Sequence, residues 1–170
     1  MPNALADPEF RAMYSRLKPV GREQPQSVDW NAYGDALRVA GLTTRGIRSM
    51  TWARFSEAPL GALTEGTSLI GVFSDGIFEC LGRKRLMSRE PKYRLIDFGE
   101  VKTIGAVEHA IEERRIFTFG IEFTGYGGVL VGRLEWHAQT QRLGDNRPTI
   151  LATERERDRV LGVIRDIVAR

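Results

Sequence analysis

Apolar and polar positions change their spacing twice along this chain, from helical at the start to strand-like in the middle and back to helical at the end. Asp7, Pro8 and Glu9 carry a helix-start signal: an N-cap, a proline at the first helical position and an acid in the first turn. Phe10, Met13, Tyr14 and Leu17 follow at i, i+3, i+4 and i+7, and Pro19 closes the segment. A polar linker with Pro25 comes next. Ser27 is then expected to cap a second helix in which Trp30, Tyr33, Leu37 and Ala40 share one face, with Gly41 ending it. Residues 43 to 57 fit neither period, and Met50, Trp52 and Phe55 stay unassigned.

From residue 67 the pattern is one of short apolar runs separated by turn signals. Leu69 to Phe73 and Ile77 to Leu81 read as a hairpin closed at Ser74-Asp75-Gly76, since Asp-Gly is a strong hairpin signal. Tyr93 to Phe98 and Val101 to Val107 make two more strands, divided near Gly99 and Glu100. Ile116 to Phe123 and Val129 to His137 pair across the glycine-rich stretch from Thr124 to Gly128. A polar loop and a short apolar run, Thr149 to Ala152, lead into a last helix. Thr153 and Glu156 have capping-box spacing there, and Val160, Leu161, Ile164, Ile167 and Val168 form its apolar stripe. Its charged residues, Glu154, Arg155, Arg157, Asp158, Arg159 and Arg165, are expected mostly in water. Strands in series followed by one helix predict an α+β, mainly β domain: a small antiparallel barrel or sandwich capped by the helix. Residues 1–60 are expected to be a helical extension whose aromatic faces pack on that barrel, because two short helices alone are marginal in stability.

A chain of 170 residues needs no metal or disulfide staple. Its single cysteine, Cys80, ends an apolar strand and reads as a small buried hydrophobe rather than a reactive thiol. No apolar run reaches the roughly 20 residues of a membrane span and no signal peptide opens the chain, so a cytoplasmic setting is expected. The net charge of +3 is unevenly spread: residues 83 to 94 carry Arg83, Lys84, Arg85, Arg89, Lys92 and Arg94 against Glu90 alone. That connection is the electrostatic candidate for an anionic partner, either a phosphorylated headgroup or an anionic membrane. The plainer reading is a solvated loop that protects strand edges. Nucleic acid is disfavoured, because Tyr93 is the one aromatic in the segment.

Catalytic signatures are weak. Gly125, Gly127 and Gly128 lie between two strands, whereas a phosphate-binding loop needs a strand on one side and a helix on the other. Glu135 and His137, two apart on a strand, face the same way and invite a general-base reading; a surface or rim pair is the expectation. A zinc site needs at least three protein ligands, and no cysteine pair or spaced histidine pair supports one. No nucleophile elbow or Walker loop is present. The chain is expected to be no enzyme and to carry no cofactor.

Residues 64–170 resemble bacterial PH-like (pleckstrin-homology-like, GRAM-related) domains. The resemblance rests on the hairpin Val72 to Phe78, the run Tyr93 to Val101 with its following strand, the run Phe119 to Phe123 and the helix from Glu154 to Leu161. It implies two nearly orthogonal antiparallel sheets forming a barrel plugged by the C-terminal helix. The implied role is a non-enzymatic binding or adaptor module. Lys84 with Lys92, Tyr93 and Arg94 looks like the basic motif of lipid-binding members. Another protein is the expected main partner, with weak anionic-membrane contact at the inner membrane face through the 83–94 residues as the secondary expectation. The alternative is a barrel that holds a small ligand, or an enzyme using the Glu135/His137 face.

Overall fold

The strand that joins the two halves of this protein is the segment the hydrophobic pattern left unassigned. In the computed structural model, which describes residues 3–61, 66–82, 92–141 and 144–169, Ile47–Ser56 forms a ten-residue strand, β1. Nearly every residue of β1 is buried, on both faces. A strand covered on both sides loses the alternation that marks a half-exposed one, which is why no period was visible.

Six further strands follow: β2 (Ser68–Phe73), β3 (Gly76–Gly82), β4 (Lys92–Asp97), β5 (Val101–Ile111), β6 (Ile116–Gly125) and β7 (Leu130–Gln139). All pair antiparallel in one curled seven-stranded sheet of order β4-β3-β2-β1-β7-β6-β5. β1 changes partner along its length. Residues from Ile47 to Ala53 pair with β2, whereas Arg54, Phe55 and Ser56 pair with Glu135, Leu134 and Arg133 of β7. The two halves of the sheet diverge from that point.

Each half-barrel face has its own core. Inside the curl, Phe55, Ile70, Val72, Ile77, Ile96, Ile121, Phe123, Leu134 and Trp136 pack against Val160, Leu161 and Ile164 of the C-terminal helix, α3 (Arg147–Val168). The indole N–H of Trp136 donates to Thr51 Oγ1 at 3.0 Å, and that hydroxyl donates to Glu156 Oε2 at 3.0 Å, tying β7, β1 and α3 together. On the other face two short helices, α1 (Pro8–Ser15) and α2 (Trp30–Val39), cover β1 to β4 with aromatic rings. Tyr14 stands edge-on to Trp30 and Trp52, and Tyr33 to Phe78, which stacks on Tyr93.

Local signals place most helix ends. Asp7 caps α1 by accepting from the N–H groups of Glu9 and Phe10. Gly41, at φ +75°, ends the turn after α2, where Leu42 N–H reaches Leu37 O. Two expectations are corrected. Asp29, not Ser27, caps α2, through the N–H of Ala32. The Thr153/Glu156 capping box does not form, because α3 begins six residues earlier at Arg147, with Pro148 in its first turn. Thr153 instead sits inside the helix and donates to Thr149 O. Arg157 is also buried rather than solvated. No helix among the described residues is long and apolar enough to cross a membrane.

Candidate functional site

Four of the six basic residues in the 83–94 stretch, Arg83, Lys84, Arg85 and Arg89, lie outside the described residues. Lys92 opens β4 opposite Gly82 and is exposed. Arg94 is half-buried and committed to the fold. Its guanidinium lies over the Phe55 ring, donates to Phe55 O at 3.2 Å, and stands 3.6 Å from the buried carboxylate of Glu79. Arg94 therefore clamps β4 to β1 and β3 at the base of the connection. The basic stretch joins β3 to β4 rather than a second strand to a third, because β1 precedes the hairpin.

Beside Gly82, where β3 runs into that connection, lies a groove of about 320 Å³. Trp52, Leu69 and Cys80 contribute its apolar lining, and Ser27, Asp29 and Tyr33 border it from α2, its cap and the linker before it. Burial pushes the Cys80 thiol up, so it stays protonated, in keeping with a small hydrophobe rather than a nucleophile. Burial likewise holds the Tyr33 phenol well above its ordinary range.

Glu135 and His137 are not a rim pair. Their side chains are 1% and 0% exposed, sealed on the outer face of β7. Sequence alternation correctly places them on one face; it could not show what covers them. The cover comes from the linker before α2 and from the residues after β1. Glu135 Oε1 accepts the N–H of Gly61 at 3.1 Å and stands 3.8 Å from His137 Nε2. Burial would raise the Glu135 carboxyl, but the adjacent imidazole, the Gly61 N–H and the Ser56 hydroxyl together hold it below the usual glutamate value. Thr118 faces His137 across the β6–β7 pair and His109 across the β5–β6 pair. Neither ring nitrogen of His137 has a hydrogen-bond partner among the described residues. A general base must reach its substrate, and this pair has no surface to offer one. No group of three or more metal-ligating side chains stands together among the described residues.

The residue that organises this seam carried no sequence signal. Glu23, in the polar linker, is 3% exposed. Its carboxylate takes Arg54, the Thr67 hydroxyl at 2.6 Å and the backbone N–H of His137 at 2.7 Å. An isolated glutamate between two prolines gives no hint of burial. Arg133 completes the polar face, donating to Ala58 O at 2.5 Å and to Glu122 at 3.1 Å. These contacts bind loops to sheet. They are structural ones.

The glycine-rich segment behaves as expected of a hairpin: Gly127 and Gly128, both at positive φ, turn β6 into β7. It also leaves Tyr126 and Val129 at 71% and 66% exposure, the largest among the large hydrophobic side chains of the described residues. Comparison of the chain with protein-family models, curated proteins and solved structures found no match.

Proposed function

We propose that this protein is a non-enzymatic binding or adaptor module of the PH-like kind, whose main partner is another protein. The observation that carries the reading is the filled interior of the curled sheet. Ile70, Val72, Ile77, Ile96, Ile121, Phe123, Leu134 and Trp136 are at zero exposure, and α3 closes over them. A sheet packed to this degree leaves its outer surfaces and loops to do the binding. The order of seven antiparallel strands followed by one helix supports the same family reading. The buried Glu135 and His137 speak against the alternative of an enzyme on that face.

Weak contact with an anionic membrane through Arg83, Lys84, Arg85, Arg89 and Lys92 is the secondary part of the proposal. Each cation near such a surface contributes about 1 kcal/mol, so the stretch reaches about 5 kcal/mol at most, less once Arg94 is engaged with Phe55 and Glu79. That supports reversible, salt-sensitive association only.

Two measurements test the proposal. Native mass spectrometry of the purified protein is expected to give the bare polypeptide mass; a stoichiometric small molecule released by heat would overturn the adaptor reading. Sedimentation with anionic and neutral vesicles across a salt series is expected to show binding to anionic vesicles alone, fading as salt rises. Absence of binding at low salt retires the membrane contact and leaves the protein partner.

A further inference from the structure

Four cations far apart in sequence line one groove on the side opposite in character to the polar seam. Arg16 and Lys18 come from the end of α1 and the residues after it, Arg48 from the start of β1, and Arg159 from α3. The groove encloses about 290 Å³, and Met13 and Met50 give it an apolar wall. That volume lies just below the range of small-ligand sites, which starts at roughly 300 Å³. Three other surface grooves are lined by side chains whose formal charges sum to zero or below, counting histidine as neutral.

Among the described residues, the single carboxylate in this lining is already engaged. Glu156 accepts from Arg159 Nε at 2.6 Å and from the Thr51 hydroxyl at 3.0 Å. Arg159 also donates to Ser49 Oγ at 2.7 Å and Met50 O at 2.9 Å, which fixes its guanidinium beside the groove. Arg48 is exposed and turns back, among the described residues, to the carbonyls of Arg45 and Ile47, at 3.4 and 3.2 Å. Arg16 and Lys18 are exposed, with no carboxylate partner among the described residues. Like charges do not gather unaided. Here the aromatic packing under α1 and the core contacts of α3 hold them together.

We propose that this groove binds a phosphate monoester dianion, with its carbon-bearing part against Met13 and Met50. A lining of net charge +3 fits a dianion better than a monoanion. Guanidinium forks match the geometry of phosphate oxygens, and a lysine supplies a point charge beside them. Neither Lys92 nor Arg94 lines this groove.

The test is a titration of the isotope-labelled full chain with glycerol phosphate, read by backbone amide NMR shifts at low salt. Saturable shifts at Leu17, Ser49 and Met50 are expected. The Arg16→Gln/Arg48→Gln variant should bind about tenfold more weakly or worse while keeping its melting temperature, since both side chains are exposed. Lys92→Gln should bind as the parent does. Vesicles with and without phosphatidic acid then separate the sources: sedimentation lost in the double variant assigns a lipid-borne phosphate, and binding of the soluble ester alone assigns a free one. Shifts that do not saturate, or that the double variant leaves unchanged, would overturn the site.

Discussion

The carboxylate of Glu23 accepts a hydrogen bond from the backbone N–H of His137, 2.7 Å away and 114 residues further along the chain. β1 pairs with β7 only from Arg133 to Glu135, so beyond that point the edge of β7 has lost its neighbour. The linker takes the vacant place. Arg22 N–H donates to His137 O at 2.7 Å, and the Glu23 carboxylate answers the His137 N–H while holding Arg54 and Thr67. Two residues of loop thus substitute for strand pairing at the point where the sheet divides, satisfying backbone groups that burial would otherwise leave bare.

Removing that carboxylate is therefore expected to be costly. Glu23→Ala takes the carboxylate away from a largely buried Arg54 guanidinium and from the buried His137 N–H, a loss of about 3–5 kcal/mol. Glu23→Gln keeps an acceptor oxygen and should lose about 1–3 kcal/mol. Urea unfolding checks both, and faster hydrogen exchange at the His137 amide should accompany the alanine variant. A loss within about 0.5 kcal/mol would show that the linker is not part of the seam.

Arg157 makes a second prediction with a smaller magnitude. It is 3% exposed and donates to Val107 O at 3.1 Å, Gly120 O at 3.3 Å and Glu108 at 2.9 Å, with its guanidinium over the Phe119 ring. Burial disfavours its charge, but Glu108 and Asp158 outweigh that and raise its pKa. Those carboxylates are 59% and 56% exposed and can return to water, so the lasting damage in Arg157→Met is the loss of two hydrogen bonds to backbone carbonyls. The expected loss is about 2–3 kcal/mol, with Arg157→Lys recovering part of it. Equal stability of the methionine variant and the parent would sink this account.

What was legible in the sequence follows from where solvent lies. The Ser74-Asp75-Gly76 turn and the strands on either side were readable because turn chemistry is local. β1 was not, because α1 and α2 bury one of its faces and the sheet interior the other. Thr153 and Glu156 imitated a capping box, while Pro148 was the truer mark of the helix start. Period-2 alternation put Glu135 and His137 together but could not supply their cover, which is Glu23 and Gly61 from distant segments. The basic groove was invisible for the same reason. Residues 16, 18, 48 and 159 meet only in space, whereas the charge run at 83–94 is a property of the linear chain.

Acid should weaken the fold through Glu135. Its folded-state carboxyl is held below the ordinary glutamate value of 4.5, so near that pH the unfolded chain binds more protons than the native one. The stabilisation is then complete above pH 4.5 and is lost as pH falls through the lower, folded value. Glu135→Gln should be less stable at neutral pH and show a shallower acid limb than the parent. Asp7, held down mainly by the Thr44 hydroxyl, and Asp145, held down by Arg147, shift in the same direction and will leave some slope in both proteins. Stability measured by urea unfolding at several pH values decides it: parallel acid limbs would remove Glu135 from the explanation.

Two glycines with similar backbone angles should respond very differently to alanine. Gly21 sits at φ +58° and Gly41 at φ +75°, both in the left-handed region where a side chain is strained by about 1–2 kcal/mol. At Gly41 a Cβ would meet nothing within 4 Å, so strain is the whole cost of Gly41→Ala. At Gly21 it would meet His137 O at 2.4 Å and Thr153 Oγ1 at 2.8 Å, and the carbonyl cannot retreat without breaking its bond to Arg22 N–H. Overpacking of that sort adds about 1–3 kcal/mol. Gly21→Ala should therefore lose about twice as much as Gly41→Ala in urea unfolding, and the excess should shrink if Thr153→Ala first removes the hydroxyl beside it. Equal losses at the two positions would mean that the linker does not lie against β7 as closely as the Arg22–His137 bond requires.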